Sequence, residues 1–190
     1  PAAPAELGEH TKALADAAKI LNRVGARWTM HQAGFDASNI GFNNGDLELQ
    51  ERLTRSLVDT AVKIGATTVL LPECGHACGA ARWEAAKWYG QALPVRIIHM
   101  TEFLDEAIAA GQIRVQPIGD TATFHDPCQI VRRGGLEAAA RRVLAALGDN
   151  GVDTSRVHVR RGLTAYTDIA FGDGGERIIA FEEFGVCAGY

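Results

Sequence analysis

The sequence predicts an α/β protein, a parallel sheet built from two pseudo-repeated, cysteine-rich halves. Three observations carry this. β-Branched and aliphatic runs alternate along the chain with stretches of helical apolar spacing, the order expected when helices cross between parallel strands. Thr67 to Cys78 (TTVLLPECGHAC) and Thr121 to Val131 (TATFHDPCQIV) share one grammar: an apolar run, a proline beside a carboxylate, then a cysteine opening a helix-like stretch. The 190 residues are 47% hydrophobic and 22% charged, enough for one good core, since a chain of this size buries roughly 70% of its unfolded surface. The halves are expected at 1–118 and 119–190.

Each element has its own signal. Glu6 to Val24 carries Leu7, Leu14, Ala17, Ala18, Leu21 and Val24 at helical spacing, and Gly25 supplies the stop. Arg27 to Met30 is a short strand candidate. HQAGFDASNIGFNNGD, from His31, has no period and reads as a long loop, a type of segment that is usually functional inside compact domains. Asp46 caps a helix that runs through Ile64 with Leu49, Leu53, Leu57 and Ile64 on one stripe, and Gly65 ends it. Thr67 to Leu71 is a buried strand, Gly79 to Tyr89 a helix anchored in the core by Trp83 and Trp88, and Val95 to Ile98 a further strand. Thr101 caps the next helix, to Ala110, with Glu102 and Asp105 near its positive end. Thr121 to Phe124 is then a strand, Leu136 to Leu147 an alanine-rich helix and Val157 to Val159 a short strand. Toward the end of the chain, Asp173-Gly-Gly marks a turn, and Glu176 to Phe184 fits either a strand or a short helix.

Composition narrows the chemistry. The formal charge is −4 and the basic residues are scattered among acids, so no electropositive field exists for nucleic acid. No apolar run reaches the ~20 residues needed to cross a bilayer, and Pro1 to Leu7 lacks the basic and apolar regions of a signal peptide. A cytoplasmic location is expected. Four cysteines are too few for a disulfide scaffold at this length, and their glycine, proline and histidine neighbours suit thiolates that bind metal or do redox chemistry. Nucleotide-binding and common hydrolase signatures are absent from the sequence.

If both cysteine segments are strand-to-helix crossings in one sheet, Cys74, Cys78 and Cys128 reach the same rim, where open α/β sheets bind ligands. Pro72 stops the strand, Gly75 lets the backbone approach closely, and the following helix offers its N-terminal dipole to a sulfur anion. Cys78 follows Cys74 by one helical turn, so both are expected on one face, with His76 turned away. Cys187 lies in FGVCAGY between Gly185 and Gly189, as on a tight loop. Four cysteines from three segments satisfy a Cys₄ iron–sulfur cluster. Tetrahedral zinc, with His76 or His125 as substitute ligands, fits the same count. Either histidine also suits proton donation to a substrate thiolate, and Arg132 and Arg133 either offset cluster charge or form a solvated face.

PECGHACGAARW, then HDPCQIVRRGG and FGVCAGY, resembles the cysteine-rich (CCG) domain family of heterodisulfide reductases. It is most similar to the iron–sulfur subunits of membrane redox complexes linked to sulfite or sulfate reduction. The resemblance runs from LNRVGARWTM through GFDASNIGF to the terminus. It implies an α/β domain pair holding a [4Fe–4S] centre, cubane or non-cubane, that exchanges electrons with a disulfide or thiol substrate. It also implies partner subunits in a redox complex and a place in the cytoplasm or on the cytoplasmic face of a membrane. Cys74 matches the cysteine of the Glu-Cys-Gly-His segment, Cys128 that of His-Asp-Pro-Cys, and Cys187 the second cysteine of Cys-Cys-Gly. Cys78 falls where many relatives lack cysteine. Val186 and Ala188 replace the first cysteine and the glycine of that last motif, and the second half is expected to be truncated. A non-catalytic electron-transfer or assembly module, or a zinc-binding or metal-free relative, is the alternative reading.

Overall fold

The computed structural model describes residues 11–32, 38–72, 74–90, 92–115, 126–149, 164–171 and 177–185. The chain divides into two compact units, 1–154 and 155–190. The boundary between halves at 118/119 falls within 116–125, outside the described residues. So do the expected strands Thr121 to Phe124 and Val157 to Val159.

The first unit is a mixed α/β arrangement, mostly helical, around a small parallel sheet. Its helices are α1 (Thr11–Arg23), α2 (Ser38–Asn44) and α3 (Leu47–Lys63), and strand β1 (Thr68–Leu71) follows. Next come α4 (Gly75–Gly79), a π-helical turn (Ala80–Glu84) and α5 (Ala86–Tyr89). Strand β2 (Arg96–His99), α6 (Met100–Ala109), a second π-helical turn (Cys128–Arg132) and α7 (Glu137–Asp149) follow among the described residues. β1 and β2 pair in parallel, with Val69 opposite Ile97 and Leu71 opposite His99. Parallel neighbours need a crossover, and the run from α4 to α5 provides it. Gly79, Ala80 and Ala85 keep right-handed helical dihedrals, so its three pieces are continuous.

α3 forms where its sequence signals place it. The Asp46 side chain accepts from the Leu49 N–H, and Gly65, at φ +73°, ends the helix. Its Leu57, Val58 and Ala61 pack with Cys78 and Ala81 on Val69, Leu71 and Ile97, so α3 and the crossover helix cover the same face of the sheet. The other face receives α6, which touches both strands. Arg142 of α7 reaches Asp105 of α6 with two bonds, 2.8 and 2.6 Å, tying the two helices together.

Several expectations change. Arg27 to Met30 forms no strand, and the expected loop after His31 contains the helix α2. His99, not Thr101, caps α6: its Nδ1 accepts from the Thr101 N–H, and its own backbone N–H donates to the Glu102 carboxylate. Trp83 is 45% exposed and is not a core anchor. The second unit holds an antiparallel pair, β3 (Thr164–Phe171) and β4 (Arg177–Gly185), whose register slips between Asp168 and Ile169. Glu176 to Phe184 thus resolves largely as strand, and among the described residues parallel pairing is found in the first unit.

Leu71 is fully buried in the core. Leu71→Ala is expected to cost about 2–5 kcal/mol in urea unfolding. Val62→Ala, at a 49% exposed position, should stay within about 0.5 kcal/mol of the parent. The Arg142 guanidinium holds the Asp105 carboxyl below the usual carboxylate range. Its contribution is therefore complete above the unfolded carboxyl value of about 4 and is lost as pH falls through the lower folded value. Asp105→Asn should lower the urea midpoint at pH 7, and the difference from the parent should close as the medium is acidified.

Candidate functional site

The sheet ends at Leu71, Pro72 follows at a bend, and Cys74 occupies the cap position of α4 in an extended conformation (φ −72°, ψ 107°). Its half-buried sulfur turns back over the first helical turn and accepts from the Ala77 N–H at 3.4 Å. A backbone N–H directed at sulfur from a helix start suits an anionic ligand atom. The Cys78 N–H closes the turn onto the Cys74 carbonyl at 3.0 Å.

Cys78 and His76 diverge from that point. Cys78 is 6% exposed and sits in the core cluster among Leu57, Val69 and Ile97. His76 is exposed. One helical turn relates Cys74 to Cys78 along the backbone, but Cys74 lies outside the helix proper as its cap, so the two side chains enter different surroundings.

Cys128 opens the second π-helical turn with Pro127 at its cap position. The turn closes through the Arg133 N–H, which donates to the Cys128 carbonyl at 2.8 Å. Cys128 is exposed, as are Arg132 and Arg133, which form a solvated face. Beside it, Asp126 is ion-paired with Arg141 of α7, both side chains largely shielded. Nothing in the sequence pointed to this partner, because fifteen residues separate the two.

The two cysteine turns pack directly on one another. A Cβ built on Gly75 would lie 2.5 Å from Ile130 Cγ1 and 3.2 Å from the Cβ of Gln129. Only a bare glycine backbone fits against that surface, as expected for Gly75. The residue after Cys74 thus meets the residues just after Cys128. Buried Ile130 and Val131 anchor the second turn.

Cys187 and His125 lie outside the described residues. Among the described residues, no three His, Cys, Asp or Glu side chains stand together as a metal-binding group. The donor chemistry of Cys74 and Cys128 fits a thiolate-bound cluster, whereas the core position of Cys78 does not fit it as it stands. Among the described residues, no helix is long and apolar enough to cross a membrane.

No protein-family model and no solved structure matches the chain. Curated relatives do. The chain is 32% identical over 132 residues to the D-type subunit of the dihydromethanophenazine:CoB–CoM heterodisulfide reductase of Methanosarcina barkeri, covering 67% of this chain and 32% of the relative. The corresponding protein of Methanosarcina mazei is 30% identical over 146 residues, 74% of this chain and 36% of the relative. A probable membrane-anchored ferredoxin of Chromohalobacter salexigens is 27% identical over 124 residues, 64% of this chain and 18% of the relative. The matches to the reductase thus cover about a third of the length of those relatives. With strand, proline, cysteine cap and packed second cysteine turn in place, the chain is a relative of the heterodisulfide reductase D-type subunits over about two thirds of its own length.

Proposed function

We propose that this chain is an iron–sulfur redox domain that passes electrons between a [4Fe–4S] centre, cubane or non-cubane, and a disulfide or thiol substrate. The observation that carries the reading is the contact of Gly75 with Gln129 and Ile130, which brings the Cys74 and Cys128 turns together. The similarity to the heterodisulfide reductase of Methanosarcina barkeri supports the reaction class. In this reading Cys74, Cys128 and Cys187 are ligands from three segments, and Cys78 is the fourth once its thiol leaves the core.

When bound, the cluster supplies single electrons at sulfur. The chain's own residues hold and protonate. The helix-capping position of Cys74 and the Pro127 entry into the Cys128 turn fix two sulfurs on rigid supports. Exposed His76 is a proton donor at the site's edge, and His125, next to Asp126 in sequence, is the second donor candidate. Reduction of a disulfide takes two electrons and two protons, breaks one S–S bond and forms two S–H bonds. The electrons come from a reduced partner subunit of the same redox complex, which also sets the location: cytoplasmic, or on the cytoplasmic face of a membrane assembly. The two cysteine turns correspond to the halves 1–118 and 119–190. The similarity to a probable membrane-anchored ferredoxin favours a second reading, an electron-transfer module without its own substrate.

Anaerobic reconstitution with iron and sulfide tests the centre. The parent should develop a brown chromophore, and Cys74→Ser and Cys128→Ser should abolish it. Cys78→Ala should lose cluster content, while His76→Ala should keep the chromophore and slow disulfide turnover by roughly 10²-fold or more. Stoichiometric zinc without iron in the anaerobically purified protein would overturn the redox reading. Full chromophore without disulfide turnover would select the electron-transfer module.

Gly75→Ala probes the contact itself. Its methyl must displace Ile130, at an expected cost of about 1–3 kcal/mol in chemical denaturation. Iron content after reconstitution should fall with it, whereas Gly79→Ala, whose Cβ would meet only the Trp83 ring at 3.4 Å or more, should reconstitute like the parent.

A further inference from the structure

β1 is paired along one edge only, with β2, and no other strand among the described residues joins this sheet. A cleft of about 770 Å³ that reaches β1 is lined by Thr68, Val69 and Leu70, by Trp28, Thr29 and Met30 of the segment after α1, and further in by α1, α3, α6 and Ile98 of β2. That segment belongs to no helix or strand, and its residues from Arg27 to His31 are all exposed. Trp28 is 39% and Met30 45% exposed, large apolar side chains two residues apart and thus on one side of an extended chain. Leu70 is only half-buried, whereas its β2 partner Ile98 is 3% exposed, so the sheet is less covered toward the β1 side.

Chain connectivity says what belongs on that edge. α3 and the crossover helix lie on the same face of the sheet, since both enter the cluster around Val69, Leu71 and Ile97. Strand–helix–strand connections are almost always right-handed. Two successive right-handed crossovers on one face set their strands in consecutive order. The strand that feeds α3 therefore lies beside β1, on the edge away from β2, and runs parallel to it. The segment Arg27–His31 precedes α3 and already lines the cleft at that edge.

We propose that Arg27–His31 is a strap that closes by pairing in parallel with β1 as a third strand, covering the part of the cleft at that edge. In the closed position its backbone meets the outer ladder groups of β1, and its alternate side chains turn toward the α3 and α6 faces of the sheet. In the structure the segment is in no strand and its residues are exposed. The inference is independent of the cluster, because none of its residues is a cysteine or a histidine of the proposed site.

Residue-resolved hydrogen exchange on the full chain tests it. Closure should slow alternate amides of Arg27–His31 by at least about 100-fold relative to unprotected peptide, together with alternate amides of Thr68–Leu70. Parallel pairing uses either residues 28 and 30 or residues 27, 29 and 31 as donors. One of Thr29→Pro and Met30→Pro should therefore abolish the protection in both segments while leaving the β2 amides unchanged. Thr29→Val should raise the protection and Thr29→Gly lower it, which keeps the test valid if a proline variant fails to fold. Free exchange of residues 27–31 in both the parent and Thr29→Val would overturn the strap. Protection that survives both proline variants would overturn it equally.

Discussion

Parallel pairing of β1 with β2 is the constraint on which the rest of the first unit depends. Two parallel strands cannot be joined by a tight turn, so the chain leaving Leu71 must cross the sheet as a helix before returning at Arg96. That crossover begins at Cys74. Its position at the rim, the direction of its helix and the burial of Cys78 and Ala81 on the sheet all follow from the same pairing. α3 then packs beside the crossover, and the second cysteine turn rests on the opening residue of α4.

Much of this framework was legible in the residues. Asp46 and Gly65 bracket α3 because a carboxylate cap and a left-handed glycine stop act locally, without help from distant parts of the chain. The strand before Pro72 and the cysteine after it were legible for the same reason. α2 was not, since Gly41 and the asparagines of SNIGFNN are poor helix formers. Tertiary contact forms this helix instead: a Cβ on Gly41 would collide with the Gln50 backbone nitrogen, so the glycine that weakens the helix also lets it lie against α3. The cap of α6 was missed because an imidazole is an uncommon acceptor at that position. In β3 and β4, pairs such as Tyr166 with Glu183 and Asp168 with Phe181 mix polar and apolar partners, which blurs the alternation that marks a strand.

The candidate site was legible as a set of motifs and less so as a geometry. Spacing alone placed Cys74 and Cys78 together, because it treated both as helical residues. The structure separates a capping cysteine, whose sulfur folds back onto an N–H, from a helical one, whose sulfur faces the core. Sequence grammar likewise paired the Cys74 and Cys128 segments, yet the contact that joins them is between a glycine and an isoleucine. Asp126 and Arg141 illustrate the remaining difficulty: an ion pair between a loop and a later helix has no periodic signature.

The π-helical turn Ala80–Glu84 divides the crossover helix into two parts that answer to different demands. A π turn holds one residue more than an α turn and so shifts the phase of everything after it by about 100°. Before it, the backbone register is set by the cysteine cap and the bare surface of Gly75. After it, the register is set by α3, where Arg55 bonds the Trp88 carbonyl, Lys87 meets Gln50 and Tyr89 donates to Asp59. The added residue fixes a phase offset within one continuous helix, so the cysteine cap and the side chains facing α3 each meet their own partners. One helix thus serves two surfaces, the cysteine rim at its start and the α3 face at its end.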